Sequence, residues 1–76
     1  MGRVVEECSN FRAGPLPALK LALKEFVEEG EMEKILKELE RRNGIARLPD
    51  GRRIRCMMHF DKTNFDNLCV RCFLED

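Results

Sequence analysis

Cys56-Met57-Met58-His59 and Cys69-Val70-Arg71-Cys72 place two pairs of soft ligands in the pattern C-x2-H-x9-C-x2-C. Two residues between ligands let one tight turn aim both side chains at a single ion, and a connecting loop of about ten residues can bring two such turns together. Thiolate and imidazole donors suit tetrahedral zinc near neutral pH. The pattern therefore predicts one structural zinc held by Cys56, His59, Cys69 and Cys72, with Cys8 as the alternative to His59.

That expectation carries a geometric condition. On a straight strand Cys56 and His59 point to opposite faces, because side chains alternate with a period of two. Both reach one ion only if the strand ends near Cys56 and the chain turns. The other reading of the same residues is thiol redox chemistry, with Cys69 and Cys72 as a dithiol pair or switch. The βαβ context of a thioredoxin-like motif is absent, so zinc is the main expectation. An ion bound by these ligands would contribute on the order of 10 kcal/mol to folding. A chain of 76 residues needs such a staple, because a core of that size gives a narrow stability margin.

Charge marks a second group. The formal net charge is zero, yet residues 41–60 hold six arginines against Asp50, while residues 15–40 hold four lysines against seven acids. Arg41, Arg42, Arg47, Arg52, Arg53 and Arg55 could bind phosphates, since a guanidinium contacts them bidentately. They could equally serve an acidic protein partner or the chain's own acidic helix. No aromatic residue interleaves with them, so a stacking platform for single strands is not indicated.

The elements that must position these groups follow from the periodicity. Arg3–Glu6 is β-like and Ser9-Asn10 turn-forming. Apolar residues at 19, 22, 23, 26 and 27 predict a helix over residues 17–29, with Gly30 as punctuation. Met32, Ile35, Leu36 and Leu39 predict a second helix over 31–43, stopped by Asn43-Gly44. Pro49-Asp50-Gly51 predicts a hairpin turn between strands at 45–48 and 52–56. Residues 61–67 read as a loop, and 68–74 as a strand or a metal-binding turn. The expected core is Val5, Leu19, Leu23, Phe26, Val27, Met32, Ile35, Leu36, Leu39, Ile54, Met58 and Phe73. A helix-turn-helix is excluded, because Phe26 and Glu25 occupy the place where close helix packing needs small residues.

These elements predict an α+β fold for residues 1–76 as one domain: a helical hairpin packed on a small β-hairpin element closed by zinc. Charge is abundant, and Ser9 and Thr63 are the sole hydroxyl side chains in a chain without Tyr or Gln, a surface like those of heat-adapted proteins. Val4-Val5 is followed by two glutamates and no apolar run approaches a membrane span, so a cytoplasmic, non-membrane setting is expected. With one histidine, no Ser/His/Asp set and no phosphate loop, no enzyme activity and no small-molecule substrate are expected. The functional expectation is a noncatalytic, zinc-stabilised interaction module. It would bind a protein partner or a second copy, as a small regulator of a nucleic-acid-processing assembly. Direct DNA or RNA binding through the arginines, and the redox reading of Cys69 and Cys72, are the alternatives.

Overall fold

The computed structural model describes residues 3–75. Strand β1 (Val4–Asn10) is followed by a 3-10 turn (Phe11–Ala13), helix α1 (Leu16–Leu23), helix α2 (Glu29–Arg41), and strands β2 (Ile45–Arg47), β3 (Arg53–Phe60) and β4 (Asn67–Glu75). The fold is α+β. All four strands lie in one antiparallel sheet of order β1-β4-β3-β2. A four-stranded sheet thus replaces the small zinc-closed hairpin.

Both helices cover the same face of that sheet. Ala18, Ala22 and Leu23 of α1 and Met32, Ile35 and Leu39 of α2 form one core with Ala46, Leu48, Ile54, Val70 and Cys72. Complete burial of Leu23, Ile35 and Ile54 contributes about 1.5–3 kcal/mol each. Val5, Leu19, Phe26, Val27 and Leu36 pack around this core half-buried. Met58 and Phe73, expected inside, are not part of it. Met58 is 62% exposed near the far end of β3, and Phe73 belongs to the opposite face of β4.

The helix boundaries differ from the apolar stripe at one end. After Leu23 the chain tightens: Phe26 and Val27 both donate backbone hydrogen bonds to the Leu23 carbonyl at 2.9 Å. This turns their side chains towards the core from a loop and ends α1 well before residue 29. Gly30 consequently lies inside the first turn of α2.

The end of α2 matches its sequence signal. Asn43 (φ 54°) and Gly44 (φ 93°) take left-handed conformations, and Gly44 N–H donates to the Leu39 carbonyl at 2.7 Å. Gly44 also accepts from Cys56 N–H at 2.8 Å, and a Cβ there would lie 2.6 Å from the Cys56 carbonyl oxygen. One residue thus stops the helix and starts the β2–β3 pairing.

Candidate functional site

Strand β3 does not end at Cys56 but runs to Phe60, alongside β4 for eight residue pairs. Period-two alternation then distributes the cysteines. Cys56 and Cys72 are directly opposite each other on the helix-covered face, and Cys8 and Cys69 are opposite each other on the uncovered face. Both pairs are disulfides: Cys8–Cys69 with Cα atoms 4.0 Å apart, and Cys56–Cys72 with Cα atoms 4.1 Å apart. The Cys56 N–H points to Gly44 and so away from β4, which makes Cys56–Cys72 a non-hydrogen-bonded pair, where side chains approach most closely.

This arrangement overturns the zinc expectation. Of the proposed ligands, Cys56 and Cys72 lie on one side of the sheet and His59 and Cys69 on the other. Replacing His59 by Cys8 leaves the same division. No group of three or more His, Cys, Asp or Glu side chains among the described residues could hold a metal ion. Structural zinc, and the zinc-closed element built on it, are therefore corrected to two disulfides. The pairing also separates Cys69 from Cys72, which sequence proximity suggests as redox partners.

The two disulfides differ in surroundings. Cys72 is fully buried and Cys56 packs half-buried against the core. On the uncovered face Cys69 is shielded, at 3% exposure, whereas Cys8 on edge strand β1 is exposed. Beside this outer pair stands a polar cluster. His59, the direct cross-strand neighbour of Cys69, places Nε2 2.8 Å from Glu6 Oε2 and Nδ1 3.1 Å from the Phe60 carbonyl. Arg71, opposite Glu6, donates from Nε to the same carboxylate oxygen at 3.3 Å.

Electrostatics follows from these contacts. The hydrogen bond to Glu6, aided by the Phe60 carbonyl, raises the His59 pKa above its ordinary 6.5, against opposing effects of desolvation and Arg71. The His59 hydrogen bond, together with Arg71, lowers the Glu6 pKa below 4.5. Arg71 and His59, both bound to the Glu6 carboxylate, consequently stand beside Cys8–Cys69 on the uncovered face.

The arginines are spread over the other end of the same molecule. Arg47, Arg53 and Arg55 lie on the uncovered face of β2 and β3, with Arg47 directly opposite Arg53. Several have acidic or carbonyl partners within the chain. Arg55 donates to both Glu75 carboxylate oxygens at 2.8 and 3.2 Å, Arg52 to Asp50 at 2.6 Å, and Arg42 to Glu38 at 3.4 Å. Arg47 Nη1 donates to the Gly51 carbonyl at 2.9 Å, and Arg41 is exposed.

Glu6 and Arg71 belong to none of the motifs read from the sequence. A signal existed: alternation along β1 and β4 puts Glu6, Cys8, Cys69 and Arg71 on one face once the two strands are paired. Fold and site together define a disulfide-stapled α+β domain with one shielded and one accessible disulfide. Comparison with family models, curated proteins and solved structures finds no match to this chain.

Proposed function

We propose that this chain is a redox-responsive module. Cys8–Cys69 is the switch and Cys56–Cys72 the permanent staple. The observation that carries this reading is the placement of one disulfide on the uncovered face with exposed Cys8, while the other faces the core.

The reductant is a small thiol or a dithiol protein. Its thiolate attacks the Sγ of Cys8, the exposed residue of the pair. The Cys8–Cys69 bond breaks, Cys69 leaves as a thiolate, and a mixed disulfide forms on Cys8. A second thiolate attacks the reductant's own sulfur in that mixed disulfide, releasing Cys8 and an oxidised reductant. Two electrons enter the pair, and two protons complete the thiols. Arg71 and, when it is protonated, His59 favour the thiolates formed on this face, the usual effect of neighbouring cations on a cysteine. Reoxidation runs the same steps backwards.

The response is structural. β1 is an edge strand whose only strand partner among the described residues is β4, so opening the link removes a covalent tie between residues 61 positions apart. The staple keeps β3 and β4 together in both states. The module is noncatalytic in this reading, since its product is its own altered state. Disulfides within the cytoplasm are a feature of heat-adapted organisms, which fits the Glu-, Lys- and Arg-rich surface.

Titration with mixtures of reduced and oxidised glutathione, followed by alkylation and peptide mapping, tests the proposal. Cys8 and Cys69 should become alkylated under conditions that leave Cys56 and Cys72 joined and the fold intact. Prior opening of the inner pair, or opening of both only on unfolding, would reject it.

A further inference from the structure

β2 covers the outer edge of β3 only at residues 53–55, and Cys56 N–H closes on Gly44. Beyond that point β3 continues through Met57, Met58, His59 and Phe60, paired with β4 on one side and with no strand of the described residues on the other. Because Cys56 turns its N–H away from β4, the alternation of an antiparallel ladder turns the main-chain N–H and C=O of Met58 and Phe60 away as well. Two consecutive outward-facing positions are thus left without a strand partner. Along this stretch itself Met57, Met58 and Phe60 are uncharged and 46%, 62% and 55% exposed, with His59 between them. Edge strands are ordinarily protected by charge. The other open edge, β1, carries Glu6 and Glu7.

We infer that this β3 edge is a self-association site, at which a second copy of the chain adds its own residues 57–60 antiparallel to form an eight-stranded sheet. This inference is independent of the redox reading. The edge is complementary to itself. About a two-fold axis at His59, Met58 of each copy lies opposite Phe60 of the other. Each such pair exchanges two backbone hydrogen bonds, and each contact closes symmetrically. The apolar Met58 and Phe60 side chains then meet on one face. Each His59 meets its symmetry mate with Glu6 already bound at Nε2.

Charge complementarity supports a second copy over an unrelated peptide. The register sends the loop after Phe60 of one copy towards Asn43 and Gly44 of the other, where α2 ends at Arg41 and is followed by Arg42. That loop, residues 61–66, carries Asp61 and Asp66 against Lys62. The two-fold repeats this acidic-to-basic contact on the other side. The same operation on β1 would centre on Glu7 opposite Glu7, a repulsive pair.

Sedimentation equilibrium of the oxidised full chain tests the inference. A monomer–dimer equilibrium is expected, weakened by salt. Met58→Pro removes an N–H that makes no bond within the sheet, so the fold should survive while dimerisation weakens by roughly tenfold or more. Phe60→Lys serves as a second edge variant should the proline variant misfold. Asp66→Lys should weaken the dimer, and adding Arg41→Glu should restore it. A wild-type chain that stays monomeric at millimolar concentration, assembles beyond a dimer, or dimerises unaffected by both edge variants would overturn the inference.

Discussion

Cys69 and Cys72 lie three residues apart in the chain and on opposite faces of strand β4. The odd spacing decides the chemistry of both. Neither can share a ligand with the other, and each finds a cysteine on a different neighbouring strand. The outer bond ties β1 to β4, and the inner bond ties β3 to β4 beneath the helices.

The two bonds should differ in their effect on stability. By chain entropy alone, a loop spanning 61 residues corresponds to about 4 kcal/mol and one spanning 16 to about 3 kcal/mol. The loops interleave, so the two values do not add. Replacing Cys8 and Cys69 together by serine should lower stability by up to about 4 kcal/mol and leave a folded chain. Replacing Cys56 and Cys72 by serine should be worse than its loop length implies, because two hydroxyls then stand in or beside the core. Urea unfolding of the two double variants gives the comparison.

Gly44 should tolerate no side chain. Its φ of 93° disfavours any L-residue, and a Cβ would lie 2.6 Å from the Cys56 carbonyl oxygen. Gly44→Ala should cost about 2–4 kcal/mol through strain and loss of the β2–β3 start. Gly30→Ala, inside α2 with nothing near its added Cβ, should stabilise by about 0.4–1 kcal/mol. Thermal unfolding of both variants checks the pair of signs.

The Glu6–His59 pair sets a pH window. His59, with its pKa raised, contributes stability that is complete below 6.5 and fades as pH rises through its folded value. Glu6, with its pKa lowered, contributes stability that is complete above 4.5 and fades as pH falls through its folded value. Both contributions are therefore complete between 4.5 and 6.5. An NMR titration should find the His59 imidazole above 6.5, and Glu6→Gln should bring it down. An unchanged titration in that variant would dismiss the contact.

Local signals in the sequence were legible and long-range ones were not. The Met32, Ile35 and Leu39 stripe and the Asn43-Gly44 stop act within a few residues, and α2 follows them. The Pro49-Asp50-Gly51 turn likewise sits between β2 and β3. The Cys56–His59 spacing was misleading because it suits a metal-binding turn as well as a strand that simply continues. Period-two alternation already separates Cys56 from His59, and the strand keeps that alternation. Four cysteines permit three pairings, and only the β1-β4-β3 order selects between them. Ala18, Ala22 and Ala46 were missed as core residues because small side chains add little to an apolar stripe, yet they let helix and sheet approach closely.

The face-segregated pairing is tested most directly by non-reducing peptide mapping of the native protein, with zinc measured on the same sample. The expected result is one peptide pair linked through Cys8 and Cys69, another through Cys56 and Cys72, and no stoichiometric zinc. A Cys69–Cys72 link, or four free thiols with one zinc per chain, would contradict it.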